Sequence, residues 1–97
     1  MADVIPAVVG RVCLSKSGRD KDRYFVVTEV IDESYVMIAD GVMRKLNKPK
    51  RKKIKHLSMK TVVLDVIAEK LETGKKVFDA ELKSAIINTG LIAQKEG

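Results

Sequence analysis

The sequence has one cysteine, one histidine, two prolines and no tryptophan among its 97 residues. A single thiol cannot close an internal disulfide, and one cysteine with one histidine cannot build a metal-ligand cluster. No apolar run approaches the roughly 18–20 residues that span a bilayer. The opening Met1-Ala2-Asp3-Val4-Ile5-Pro6 lacks a basic segment and meets a proline early, so no signal peptide is expected. With the lone cysteine, this makes the cytoplasm the expected compartment. Catalytic constellations are missing too. His56 stands between Lys55 and Leu57 with no second histidine or cysteine beside it, and Cys13 alternates with Val12 and Leu14 as an inert strand thiol would. No enzyme activity, cofactor, metal or small-molecule substrate is expected.

What is present is charge, unevenly placed. Hydrophobic residues make up 45% and charged residues 33%, enough to bury a core and stay dissolved. The net charge is +6; residues 1–60 hold 14 Lys/Arg against 7 Asp/Glu, and residues 61–97 hold 5 against 6. The excess lies in the first part of the chain, as when one module meets an anionic partner. Its centre is Arg44, Lys45, Lys48, Lys50, Arg51, Lys52, Lys53 and Lys55, eight cations in twelve residues with no acid among them. Such a cluster repels itself, and a polyanion relieves that repulsion while releasing its own counterions. The alternatives are a solvated loop or solubility device, or an import signal, although signals of that kind sit on flexible tails.

The first 60 residues read as short strands. Val8–Ser15 alternates, with Gly10, Val12 and Leu14 on one face, and Lys16–Arg23 is a charged loop. Tyr24–Ile31 is a nearly unbroken aromatic and β-branched run, as in a strand buried on both faces. Tyr35–Ala39 is a third strand. Asp40-Gly41 signals a type I′ hairpin turn into a short strand Val42–Leu46. Asn47–Lys53 follows as part of the barrel edge, with Pro49 preventing a central-strand hydrogen bond there, and Ile54–Leu57 is expected to return as a closing strand. Short strands with tight turns predict a small antiparallel barrel over 1–58. Beyond it, over 59–97, the period becomes helical. Val63, Val66, Ile67 and Leu71 share a face, with Thr61 as N-cap and Gly74 past the end; a second helix starts at Asp79 as N-cap. The expected class is mainly β with a C-terminal helical hairpin or extension.

The loop Lys16–Arg23 has neither the glycine and twelfth-position glutamate of a calcium loop nor the Gly-Lys-Ser/Thr of a phosphate-cradling P-loop. It remains a charged loop able to touch phosphate. Aromatics are only Tyr24, Phe25, Tyr35 and Phe78. With two of them expected in the core, base stacking cannot supply most of the affinity, which points to backbone and shape recognition of folded RNA. His56 is the candidate base contact.

The segment Gly10-Arg11-Val12-Cys13-Leu14-Ser15-Lys16-Ser17-Gly18-Arg19-Asp20-Lys21-Asp22-Arg23-Tyr24-Phe25-Val26-Val27 resembles the KOW motif: a strand, a Gly-containing basic loop and an apolar strand. Through Ile31-Asp32-Glu33, Ala39-Asp40-Gly41, Arg44-Lys45-Leu46-Asn47 and His56-Leu57 it resembles the KOW-containing ribosomal large-subunit proteins of archaea and eukaryotes. It looks closer still to small bacterial KOW-domain proteins. The resemblance covers roughly residues 6–58. It implies a five-stranded SH3-like barrel that binds ribosomal or related structured RNA without catalysis. The RNA-binding residues would be Lys16, Arg19, Lys21 and Arg23, then Arg44, Lys45, Lys48, Lys50, Arg51, Lys52, Lys53 and Lys55. Ribosomal proteins are further expected partners. KOW motifs usually carry glycine where this chain has Asp22. The rival expectation is a protein-interaction module contacting ribosomal or transcription machinery, with an exposed apolar face on the C-terminal helices. Duplex DNA is a further candidate; a membrane surface fits poorly, because the cations share no helix with an apolar face.

Overall fold

A strand can be apolar without alternation only where both of its faces are covered, and Phe25–Val27 in the second strand is such a stretch. In the computed structural model, which describes residues 5–91, Phe25, Val26 and Val27 are all fully buried. Val26 joins Val12 and Ala39 in one cluster, while Phe25 and Val27 join Cys13, Val36, Ile38 and Leu57 in a second on the opposite face. The strands are β1 (Arg11–Ser15), β2 (Tyr24–Val30), β3 (Tyr35–Ala39), β4 (Lys50–Lys53) and β5 (Leu57–Val63), with a 3₁₀ turn Ile54–His56 between the last two. They form one antiparallel sheet in the order β4-β3-β2-β1-β5. A four-strand meander whose fifth strand returns to pair with the first is the arrangement of a small SH3-like barrel. Helices α1 (Asp65–Glu72) and α2 (Asp79–Asn88) follow.

The first cluster belongs equally to the sheet and the helices: Ile67, Leu82 and Ile86 are at most 3% exposed against Val12, Val26 and Ala39. Burying each such side chain contributes about 1.5–3 kcal/mol. The boundary expected at residue 58 falls inside β5, and the helices cover one face of the sheet. No helix among the described residues is long and apolar enough to cross a membrane.

Several local expectations are corrected. The first strand begins at Arg11, and Gly10, at φ 90°, is a turn residue lying against Ala68 of α1. Val42–Leu46 is not a strand. The Asp40 carboxylate accepts from the backbone N–H groups of Val42 and Arg44, both at 2.9 Å, and this coils the segment into a loop. The strand is instead Lys50–Lys53, opening directly after Pro49, where a missing N–H costs nothing. It is an edge strand, and its charges protect that edge from further pairing. Ile54–His56 is a 3₁₀ turn, so the closing strand runs from Leu57 to Val63 and takes in Thr61 and Val63. Helix α1 therefore starts with Leu64 as N-cap and no side-chain cap. Asp79 is the first residue of α2 rather than its cap, since its carboxylate accepts from the N–H of Leu46 at 2.8 Å and ties the 41–47 loop to the helix.

Candidate nucleic-acid interface

Alternation along β4 divides what the sequence presents as one cluster. Lys50 and Lys52 pair across from Ile38 and Val36, while Arg51 and Lys53 pair across from Met37 and Tyr35 on the other face. Lys52 is 7% exposed and donates to the Ser17 carbonyl at 2.9 Å. Lys50 donates to the Asp20 carboxylate at 2.8 Å, and Arg44 stands 3.9 Å from the same oxygen. Arg51 lies over the Tyr35 ring, 4.6 Å from its centroid, a cation–π contact.

The structure thus brings the β1–β2 loop against β4, joining two regions that the sequence separates. The Lys16 N–H donates to the His56 carbonyl at 2.9 Å and completes that junction. The side chains of Lys16, Arg19, Lys21, Arg23, Lys45, Lys48, Arg51, Lys53 and Lys55 are exposed, those of Arg44 and Lys50 are half-buried, and Lys52 is buried. Arg23 also approaches buried Asp40 at 3.9 Å. The twelve cations named from the sequence therefore fall into an exposed set and an internally bonded set.

Asp20, 3% exposed, is the residue that sequence reasoning missed. An acid opposite an acid-free run of cations was the only signal, and nothing local shows that the two meet. Burial alone would raise its carboxyl pKa. The Lys50 hydrogen bond and the charges of Lys50, Arg44 and Lys52 outweigh burial and hold it below its ordinary 3.8. A carboxylate depressed on folding contributes stability above its unfolded pKa and loses it as pH falls through the folded one. Lys50→Met removes the hydrogen-bonded partner of this buried carboxylate and leaves only the more distant Arg44 and Lys52 charges, so it is expected to cost about 2–3 kcal/mol at pH 7. The difference from the parent should shrink as pH falls below the ordinary carboxyl value of 3.8 and Asp20 takes up its proton, which urea unfolding across pH will measure.

Lys52 sits below the ordinary lysine pKa, first through burial and then through the charge of Lys50. Burial raises the Cys13 thiol to about 12, in keeping with an inert core position. His56 is half-buried and held below its ordinary 6.5, by desolvation first and then by Lys55, Lys53, Lys52 and Lys16. Its ring is neutral at pH 7. A bound phosphate would offset those charges, so proton NMR titration should show the His56 pKa rising when RNA is added.

Asp22 has φ 71°, in the left-handed region, and its N–H donates to the Ser15 carbonyl at 2.8 Å. The loop geometry is one that glycine adopts more easily, and here aspartate adopts it. Asp22→Gly is expected to stabilise the fold by about 0.5–1 kcal/mol in thermal melts. It also removes an exposed carboxylate from beside Lys21 and Arg23. Among the described residues, no group of three or more His, Cys, Asp or Glu is placed to hold a metal.

A five-stranded SH3-like barrel with C-terminal helices and a cation-rich loop edge is the architecture of a KOW-type ribosomal protein. No protein-family model matches the chain. Known proteins do. It is 31% identical over 88 residues to large ribosomal subunit protein eL14 of Staphylothermus marinus, covering 90% of this chain and 84% of that one. With eL14 of Hyperthermus butylicus it shares 32% over 89 residues (91% and 84%), and with eL14 of Methanococcus maripaludis 31% over 84 residues (87% and 94%). The chain belongs to the eL14 family of large ribosomal subunit proteins.

Proposed function

We propose that this protein is a noncatalytic binder of structured RNA, ribosomal RNA foremost, acting in ribosome structure, assembly or translation. The observation that carries this reading is the junction of the β1–β2 loop with β4. It sets the exposed loop cations Lys16, Arg19 and Lys21 at the edge where Lys45 and Lys48 lead into β4, around a framework held by Asp20, Lys50 and Lys52. The internal bonds fix the backbone from which the free ammonium and guanidinium groups project. Phosphates then meet a surface whose shape is set before binding. The large-subunit names of the relatives support the ribosomal setting.

The test is a polarisation titration with structured RNA. If ~5 phosphates are engaged, affinity should fall on the order of 10²–10³-fold between about 50 and 200 mM salt. Absence of binding at the lower salt would sink the proposal, and direct competition with duplex DNA would show which polyanion is preferred.

A second reading has an observation of its own. Val66 and Phe78 are each 62% exposed, and Ile87 is 38% exposed, so the helical part offers apolar side chains to solvent. Contacts with ribosomal proteins through that side are compatible with RNA on the barrel edge. A pull-down whose partners persist after nuclease would support it.

A further inference from the structure

We propose that the hollow beside Tyr35 is a nucleotide subsite taking one unpaired guanosine of the bound RNA, an inference that rests on the RNA-binding reading above. The hollow has a volume of about 420 Å³ and is lined by Glu33, Ser34, Tyr35, Lys53, Ile54 and Lys55. That lies within the range of about 300–1,000 Å³ usual for small-ligand sites. It lies on the Arg51/Lys53 side of β4, apart from the Asp20 cluster, so the phosphate-binding edge does not account for it.

Its walls are held in place before any ligand arrives. One oxygen of Asp32 accepts from the N–H groups of Ser34 and Tyr35 at 2.8 and 2.9 Å. The Tyr35 carbonyl accepts from the Ile31 N–H at 3.0 Å, and the Ile54 N–H donates to the Ser34 carbonyl at 2.8 Å. The last bond joins the β2–β3 turn to the 3₁₀ turn across the hollow. The Tyr35 ring is steadied by the Arg51 guanidinium 4.6 Å from its centroid.

The lining matches a nucleotide part by part. Tyr35 and Ile54 supply an aromatic and an apolar surface for a base, and bases taken out of a helix are commonly held against such surfaces. Lys53 and Lys55 supply cations for its phosphate. Glu33 is what makes the site selective. It is exposed, and among the described residues it has no ion pair, although two lysines share its hollow. A site for phosphate alone would be weakened by that carboxylate, whereas a base edge that donates would use it. Guanine alone presents two adjacent donors, N1–H and the N2 amino group, which a carboxylate accepts together. Adenine and cytosine set a donor beside an acceptor, and uracil flanks its one donor with acceptors.

The test uses the full chain and three RNA hairpins: one fully paired, one with a single bulged guanosine and one with a bulged adenosine. The guanosine bulge should bind about 10-fold more tightly than the paired RNA, within the span of one stacked base. Tyr35→Ala should remove that preference without weakening the paired RNA, and Tyr35→Phe should keep it. Glu33→Gln, on an exposed residue that does not endanger folding, should bring the guanosine and adenosine bulges to equal affinity. Equal binding of all three hairpins by the parent protein would overturn the subsite and leave the general RNA-binding reading standing. So would a guanosine preference that survives Glu33→Gln. Failure of every hairpin to bind at about 50 mM salt would overturn both.

Discussion

Gly41→Ala is expected to cost about 3 kcal/mol of folding stability, seen as a lower urea midpoint with an unchanged slope. Two independent penalties add. The residue sits at φ 83°, where an L side chain is strained by about 1–2 kcal/mol. A Cβ there would also fall inside the contact radius of the Asp79 carbonyl oxygen at the start of α2, with the Asp79 carbonyl carbon only 3.0 Å away. Backbone cannot yield as a flexible side chain can, so overpacking adds roughly 1–3 kcal/mol. Relief requires the 41–47 loop to leave the helix, which would break the bond from the Leu46 N–H to Asp79. Hydrogen exchange should therefore show α2 losing protection ahead of β2 and β3. Equal loss throughout the chain would mean that the loop does not anchor the helix.

Glutamine at Lys16, Lys21, Lys45 and Lys48 together is expected to lower affinity for structured RNA on the order of 10²-fold at about 50 mM salt. The slope of log affinity against log salt should flatten by roughly 3.6, about 0.9 for each of the four phosphates no longer neutralised. Lys52→Met should leave that slope unchanged, although Lys52 lies at the centre of the same run of cations. Its ammonium is bonded to the Ser17 carbonyl and the residue is only 7% exposed, so it is not presented to a phosphate outside. The four exposed side chains hold no other part of the described fold in place, so removing their charge should leave stability within about 0.5 kcal/mol of the parent. If Lys52→Met flattens the slope as much as an exposed lysine does, the division of the cluster is wrong.

The strands that could be read from sequence were those whose side chains report burial. Tyr35–Ala39 matched to the residue, and Tyr24–Val30 came within one, because β-branched and aromatic residues covered on both faces leave a continuous apolar run. Strand β4 left no such trace. All four of its residues are cations, and what makes it a strand is backbone pairing with β3, which has no side-chain signature. Val42 and Met43 misled in the opposite sense: apolar residues after a turn signal suggest a strand, yet they are 44% and 57% exposed in a loop that the Asp40 carboxylate coils. Thr61 has the chemistry of an N-cap, but pairing of β5 with β1 carries the strand two residues beyond it. Local capping preference, worth about 1 kcal/mol, yields to a ladder of sheet hydrogen bonds.

By itself the sequence determined the order of the parts, a small barrel and then two helices, and the concentration of positive charge in the barrel. Both follow from composition and periodicity, which are local properties. Only the tertiary structure decided which cations are free. That outcome depends on the strand register, which turns Lys50 and Lys52 to one face and Arg51 and Lys53 to the other. It also depends on Asp20 meeting Lys50 across 30 residues of chain. Eight cations in twelve residues look equivalent along the chain; alternation and one buried carboxylate make them unequal.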